Sequence, residues 1–384
     1  MTVLEPKPVL TPREALARYE DALTLRLADG RPAVLPGVIG TIYFERGSQP
    51  QVRAAILECF DRFDALFGAH LKGGKDEDLG KFTRRTAAGV TRIRRAIVST
   101  PSFRQVSVIR SSATDQDTAA QYSIQTLTGL ALPQDYVSPT GRLRVPAGAE
   151  SGLSWLKFTL PMQHVETAEG TAQYEGFLRF VCERLVVRGG YGGFAPALPY
   201  RYHPHTLHER ALAERFSGLE IDSGSHTLSE RYDPVSYEGE SRDDLTAVYD
   251  HLHPGAKVGR WGFIKGVNWY TLLGDLFVAR LGGETALRRA LERPDVLIER
   301  VGSCLLIRAG DVPRLGAPEE GLPEPYVFVN RVLRVLRDPN ACDLPAEGGE
   351  GPAASGTNPR SWAARFDLPD APPIPEPPAI VAQP

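Results

Sequence analysis

The sequence predicts an α+β fold, with mixed antiparallel sheets packed by amphipathic helices. Segments with apolar residues at helical spacing are interspersed with short β-rich runs along the whole chain. Their order lacks the regular strand and helix alternation that is typical of a doubly wound parallel sheet. The 384 residues are 42% hydrophobic and 24% charged, which is typical of a globular protein and excludes collagen, coiled coil and wholesale disorder.

In the first half, one strand, two helices and three further strands are expected. Residues 38–45 are β-rich, and residues 48–51 (SQPQ) fit a capping box that starts a helix running to about Leu71. Residues 72–80 are expected to form an exposed loop, and residues 82–98 a second helix with Val90, Ile93 and Ile97 on one face. Strands are expected at residues 105–109, 122–127 and 142–145.

In the second half, residues 154–160 are expected to form a strand and residues 168–184 a helix. The run GGYGG at residues 189–193 is expected to be a tight glycine turn, followed by a helix at residues 207–216. The apolar segment 267–281 is expected to be a buried helix that Asn268 caps and Gly282 and Gly283 stop. A hairpin at residues 296–308 and a helix at residues 326–336 complete the prediction.

The predicted organisation has four parts. They are an N-terminal extension (1–34), an N-terminal α+β half (35–150), a C-terminal α+β half (151–342) and a tail (343–384). A strand followed by an amphipathic helix occurs in both halves, so two similar halves are an open alternative, although residue identities are too few to establish a repeat. The ten prolines of the tail predict a flexible, disordered segment in which Trp362 and Phe366 are the candidates for docking, either onto the body or onto a partner.

Composition and charge restrict the function and the compartment. A net charge of −3 argues against a protein that mainly coats nucleic acid. The sequence contains no apolar stretch of membrane-spanning length and no secretory signal, and its four cysteines are widely spaced, so we expect a cytoplasmic protein. No motif for a cofactor is present in the sequence, and none is expected.

Histidines cluster in two places that could hold a metal. His203 and His205 form one HxH pair and His251 and His253 form another, and two such pairs on strands could converge on zinc. A metal-dependent hydrolase is therefore an alternative function. Prolines interrupt both pairs and no HExxH spacing occurs, which favours loop histidines over a metal site.

Charge segregation is the more informative signal. Between residues 219 and 250 the chain carries nine acidic residues against two arginines, and tyrosines lie among them. Such a segment is suited to bind a basic partner, such as a nucleic-acid-binding cleft, and a solvated acidic loop is the alternative interpretation. The candidate partner-binding residues are Glu220, Asp222, Glu230, Asp233, Tyr237, Glu238, Glu240, Asp243 and Asp244. Residues 81–110 carry eight positive charges, which could bind phosphates but are interpreted more simply as a solvated helix face or an internal partner of the acidic segment.

Several phrases together resemble one bacterial family. They are GGYGG at 189–193, RFSGLEID at 215–222, IKGVNWYTLLGDLFVARLGG at 264–283, the hairpin IERVGSCLLIRAG, and PYVFVNRVLRVLR. They resemble the type VI secretion immunity proteins whose cognate toxins carry VRR-NUC nuclease domains. The resemblance covers roughly residues 35–338 and implies no catalysis. It implies stoichiometric binding of a toxin nuclease in the cytoplasm, with no direct binding to nucleic acid or membrane.

Three functions therefore stand side by side. The first is an immunity protein that covers the active or DNA-binding cleft of its toxin. The second is the metal-dependent hydrolase, and the third is a structural component of a contractile injection apparatus. The sequence does not determine the oligomeric state.

Overall fold

A computed structural model describes residues 9–76, 81–131, 150, 152–223, 263–337 and 362–371. Within these ranges eleven strands form one sheet in which every strand pair is antiparallel. The strands are β1 Leu25–Arg26, β2 Pro32–Phe44, β3 Gly73–Asp76, β4 Thr83–Arg84, β5 Ser107–Ser111, β6 Ser123–Leu127, β7 Ser154–Pro161, β8 Val187–Ala197, β9 Tyr270–Gly274, β10 Val296–Val301 and β11 Cys304–Ala309.

The helices of the described ranges follow the same chain order. They are α1 Pro12–Leu23, α2 Pro50–Phe67, α3 Ala87–Ser99, α4 Ala168–Arg184, α5 Thr206–Arg215, α6 Asp275–Arg280, α7 Glu284–Ala290 and α8 Glu324–Leu333. Single 3₁₀ turns occur at Gly68–His70, Met162–Glu166, His203–His205 and Arg334–Leu336. Together with the sheet, they confirm the predicted α+β class.

The long strands β2, β7 and β8 form the centre of the sheet. The strand order is β10-β11-β9-β8-β2-β7-β6-β5-β3-β4, and β1 pairs separately with β2. Strand β7, which opens the predicted C-terminal half, thus lies between two strands of the N-terminal half. The two predicted halves interleave in one sheet, and their division at residue 150 stays a prediction.

One face of the sheet is covered by α2 and α4. Side chains alternate between the two faces of a strand, so Leu156, Phe158 and Leu160 of β7 all point to this side. The Phe158 ring lies 4.8 Å from that of Phe177 in α4, which in turn lies 5.3 Å from Phe63 in α2. This aromatic contact joins sheet and helices in the largest part of the core.

Most of the predicted elements are confirmed, with shifted ends. Strands β2, β6 and β7, helices α2, α4, α5 and α8, and the β10–β11 hairpin all occur where the sequence predicts them. The strand predicted at 105–109 lies two residues later, as β5. Helix α3 begins only at Ala87, because Thr86 accepts a hydrogen bond from the N–H of Gly89 and caps it. The strand predicted at 142–145 lies outside the described residues.

The predicted glycine turn at residues 189–193 is wrong, because these residues form the middle of β8. Gly190 pairs with Ile42 and Gly192 with Gly40 of β2. A Cβ atom at Gly190 would lie 2.4 Å from the carbonyl oxygen of Thr41, so a side chain there would clash with the neighbouring strand. Here glycine allows close approach of the backbone within a sheet and does not mark a turn.

The predicted buried helix at 267–281 is also wrong over its first half. Residues of β9 pair with both β8 and β11, and only Asp275–Arg280 are helical. A strand buried on both faces has a continuous apolar sequence, which periodicity cannot distinguish from a buried helix. Asn268 is a buried side chain and not a cap, whereas Gly282 and Gly283, both at positive φ, do end the helix as expected.

Two further predictions about local structure are wrong. Of the expected exposed loop at 72–80, Gly73–Asp76 form β3, paired with β5, and Gly73, Gly74 and Asp76 are buried; residues 77–80 lie outside the described ranges. The capping box at residues 48–51 does not form, since the N-cap Gln49 makes no side-chain cap. The Ser48 hydroxyl and N–H donate instead to Glu150, and Pro50 occupies the first helical turn as expected.

Part of the predicted flexible tail is ordered. Residues 362–371 pack on the body, with Trp362 and Phe366 buried, which confirms the docking predicted for these two side chains. The guanidinium of Arg337 donates two hydrogen bonds to the carboxylate of Asp367, at 2.5 and 2.7 Å. Residues 338–361 and 372–384 lie outside the described ranges.

Candidate functional site

The sheet face opposite α2 and α4 forms a polar cavity of about 290 Å³. Alternation along three neighbouring strands brings polar side chains to this face, in particular Ser107 and Ser111 of β5 and Gln125 of β6. Lys157 of β7 lies beside Thr41 of β2, its partner in the register. The floor of the cavity is therefore built from the neighbouring strands β5, β6, β7 and β2.

One wall of the cavity comes from segments that follow β8. Tyr200, Tyr202 and His203 line the cavity from the connection between β8 and α5. Glu209 of α5 lines it as well, together with Asp222 and Ser223 after α5. The cavity is thus enclosed by residues that are more than a hundred positions apart in sequence.

Asp222 joins the wall to the floor. Its Oδ1 accepts hydrogen bonds from the hydroxyls of Thr41 and Tyr191, both at 2.8 Å, and its Oδ2 lies 3.1 Å from the Nζ of Lys157. Because the carboxylate is 5% exposed, these contacts take the place of water around its charge. Asp222 therefore fixes the position of Lys157 in the cavity.

Glu209 positions the segment that carries Asp222. Its Oε1 accepts the backbone N–H groups of Asp222 at 2.7 Å and of Ser223 at 3.1 Å. The side chain is fully buried, and this burial raises the pKa of its carboxyl group. Among the residues that the structure describes, Oε2 has no hydrogen-bond partner.

Glu220 belongs to a separate buried cluster beside this wall. Its Oε1 lies 2.7 Å from the Nζ of Lys265, and its Oε2 accepts a hydrogen bond from the side-chain amide of Asn268 at 3.0 Å. Arg365 of the C-terminal segment approaches Oε2 at 3.8 Å, and burial lowers the pKa of this guanidinium to about 10. Glu220 thus holds α5 and its following loop to two later parts of the chain.

The structure places the predicted partner-binding residues in two groups. Glu220 and Asp222 are internal and ion-paired, so their carboxylates are not presented on the surface. Glu230, Asp233, Tyr237, Glu238, Glu240, Asp243 and Asp244 lie outside the described residues. Contact of these seven with a partner stays a prediction.

The predicted histidine cluster is only partly described. His203 and His205 lie on a 3₁₀ turn and not on a strand, so their rings are not held on one side as the metal hypothesis required. Burial lowers the pKa of His205 and of His208. His251 and His253 lie outside the described ranges, and within those ranges no group of three metal-ligating side chains occurs.

The basic stretch at residues 81–110 is paired with acids that the sequence did not indicate. The Nε of Arg92 lies 2.6 Å from Asp76 in β3, and Arg110 and Arg94 bind Asp64 and Asp61 of α2. Helix α3 therefore packs on α2 through ion pairs as well as through its apolar face. These described partners lie on α2 and β3, and not on the acidic segment.

Sequence reasoning missed most residues of the cavity, including Gln125, Lys157 and Tyr200. The sequence does contain a signal for the strand residues among them. Polar residues alternate with apolar ones in SIQTL (123–127), and Lys157 and Thr159 do so in SWLKFTL (154–160). Such alternation indicates a sheet face that helices do not cover. The contribution of α5 could not be found in this way, because Glu209 lies far from these strands in sequence.

The fold is shared with a protein of the type VI secretion system. The solved structure of the Pseudomonas aeruginosa T6SS protein PA0821 matches with a TM-score of 0.70 and 22% sequence identity, over 92% of this chain and 90% of that chain. At this level of identity the likeness shows that the two chains share a fold. A comparison with curated proteins gives no significant match.

The family follows from the sequence itself. The model of the TsiV family, described as type VI immunity for VRR-NUC, matches residues 55–235 and 253–366. The chain therefore belongs to the TsiV family of type VI immunity proteins, as the resemblance implied. Within the described residues, no helix is long and apolar enough to cross a membrane.

Proposed function

We propose that this immunity protein binds its cognate type VI toxin, a nuclease, one to one in the cytoplasm and covers the active or DNA-binding cleft. It acts by occupation and without turnover. The family match to immunity against VRR-NUC proteins is the observation that carries this proposal. The T6SS protein that shares the fold is consistent with it.

The cavity and the acidic segment supply the proposed contact surface. Ser223 lines the cavity, and the chain continues from it into residues 224–262, which contain seven of the nine acids between 219 and 250. A nuclease surface that binds phosphates is basic, so an acidic segment on the immunity protein favours its approach. Stable exclusion of DNA requires an interface of about 800 Å² per partner or more, wider than the cavity alone.

The first experiment tests protection and binding. Cells that express the effector encoded beside this chain should survive when they also express the immunity protein, and the two proteins should purify as a one-to-one complex. Survival without the immunity protein, or no complex between the purified proteins, contradicts the proposed function.

A charge-reversal variant tests the acidic segment. Replacing Glu238, Glu240, Asp243 and Asp244 with lysine should slow association with the toxin at least tenfold, because steering by charge contributes about 10- to 1,000-fold to association rates. Stopped-flow mixing at two salt concentrations measures this rate. The matched control reverses four exposed acids elsewhere, Glu20, Asp21, Glu169 and Glu292, and makes the same change in net charge.

An association rate equal to that of the control contradicts a local role for the acidic segment. That result would still be compatible with immunity through another surface of the protein. A slower rate in the segment variant alone supports the segment as the part of the molecule that meets the toxin first.

A further inference from the structure

Among the residues that the structure describes, one carboxylate that lines the cavity is paired with no lysine or arginine. Glu209 and Asp222 are neighbours in the wall, since the Oε1 of Glu209 accepts the N–H of Asp222. Lys157 binds Asp222 at 3.1 Å, and Asp115, which also lines the cavity, is paired with Arg31 at 3.3 Å. Among the described residues no lysine or arginine is paired with Glu209, whose Oε2 has no hydrogen-bond partner although it is fully buried.

A buried carboxylate in this position favours a cation from outside. A buried charge without a paired cation is unfavourable, so the carboxylate form of Glu209 is destabilised and an entering cation would offset that effect. Burial, and to a smaller extent the charge of Asp222, raise the pKa of Glu209, and hydrogen bonds from Ser223 and from the backbone of Asp222 offset only part of this effect. A guanidinium at Oε2 would reverse this shift by favouring the ionised form.

The remaining lining suits an arginine side chain. Tyr200 and Tyr202 line the cavity, and aromatic rings stabilise cations such as a guanidinium or an ammonium group. Tyr200 already does so within the chain, because the Nζ of Lys75 lies 4.5 Å from the centre of its ring. A volume of about 290 Å³ admits one long side chain but no helix or strand of a partner.

We propose that, on the basis of the proposed function, this cavity receives one arginine side chain from the DNA-binding surface of the toxin and that Glu209 binds its guanidinium. Arginines on such a surface contact phosphates, so their capture removes a DNA contact directly. A buried arginine that fills a pocket is a typical centre of binding energy at protein interfaces. The carboxylate and guanidinium form a charge-assisted, geometrically specific pair.

The first test needs no toxin. Saturation-transfer NMR with N-acetyl-arginine-N-methylamide should show binding to the full chain at least tenfold tighter than binding of the citrulline analogue, which has the same shape but no charge. The preference should be lost in Glu209→Gln, which keeps an oxygen acceptor for the two backbone N–H groups. The control Glu214→Gln lies on the same helix, is exposed, and should bind the arginine probe as the wild type does.

Equal binding of the two probes, or an unchanged preference in Glu209→Gln, overturns the inference. A second variant guards against a change of fold. Ser107→Trp fills the cavity from strand β5, whereas its control Ser99→Trp places the same side chain on the exposed end of α3. Loss of the arginine preference in Ser107→Trp and its retention in Ser99→Trp would support the site independently of Glu209.

The toxin then separates the two proposals. Glu209→Gln and Ser107→Trp should each weaken toxin binding at least tenfold in calorimetry, and their controls should not. If the wild type neither binds nor protects, the proposed function is wrong. If the wild type protects and both variants bind at its affinity, only the cavity inference is wrong.

Discussion

Gly192→Ala should destabilise the protein more than its small size suggests. A Cβ atom at residue 192 would lie 2.1 Å from the hydroxyl oxygen of Tyr174 and 3.1 Å from the carbonyl oxygen of Ile39. These two atoms form a hydrogen bond of 2.7 Å, and Tyr174 is fully buried. The methyl group therefore cannot enter without displacing the tyrosine hydroxyl from its acceptor.

The expected cost has two parts. Forcing a methyl group into a packed core costs about 1–3 kcal/mol. Leaving a buried hydroxyl or carbonyl unsatisfied costs about 1–3 kcal/mol more. The free energy of unfolding should fall by roughly 2–6 kcal/mol, a large part of the 5–15 kcal/mol that is typical of a folded domain.

Urea unfolding followed by far-ultraviolet circular dichroism measures this change. The control Gly176→Ala lies on the exposed side of α4 with no heavy atom within 4 Å of the new methyl group, and it should raise stability by about 0.5–1 kcal/mol. Tyr174→Phe removes the clashing hydroxyl, so the double variant should be nearly as stable as Tyr174→Phe alone. A Gly192→Ala variant within about 0.5 kcal/mol of wild type, or additive costs in the double variant, would refute the reasoning.

Two further predictions concern the C-terminal segment and pH. Phe366→Ala should lower the free energy of unfolding by about 3–5 kcal/mol in urea titrations, because its ring is buried against Tyr326; an unchanged midpoint would mean that the segment is not docked. Burial holds the pKa of His164 below its ordinary 6.5, so the unfolded chain binds more protons and stability should fall as pH drops below 6.5. His164→Asn should make the free energy of unfolding less dependent on pH in this range. If the pH dependence is unchanged in this variant, a group other than His164 causes it.

The amphipathic helices could be predicted because their signal is local. In α2 the buried residues Val52, Ile56, Phe60 and Phe63 recur at the spacing of helical turns, and one face of the helix meets the core. The same holds for α4. Elements of this kind are set by residues within one or two turns of each other, so the sequence pattern is sufficient.

The central strands β8 and β9 could not be predicted because their environment is long-range. Gly190 is extended because Ile42, almost 150 residues earlier, is its neighbour in the sheet. Leu272 and Leu273 are extended because β8 and β11 lie on both sides, although their apolar run is equally compatible with a buried helix. Because the pairing partners of β8 and β9 are so distant in sequence, the residues of these two strands show no periodic pattern that predicts the pairing.

The charges near the cavity could not be predicted from the sequence for the same reason, since their partners are distant in the chain. A count of acids over residues 219–250 treats all nine carboxylates alike, yet Glu220 and Asp222 are neutralised inside the protein by Lys265 and Lys157. Conversely, Glu209 stands outside the acidic segment and is a carboxylate without a paired lysine or arginine among the described residues. Which charges a partner can use is decided by pairing in the fold, and not by their density in sequence.

This distinction separates the two proposed contacts by their kinetics. Charges at the rim of an interface mainly change the association rate, whereas a buried pair mainly changes the dissociation rate. Reversal of the acids between Glu238 and Asp244 should therefore slow binding of the toxin and make it less sensitive to salt. Glu209→Gln should leave association nearly unchanged and speed release, because the arginine leaves a pocket in which its charge is no longer matched. The opposite assignment of the two effects would place Glu209 at the rim and the acidic segment at the centre of the interface.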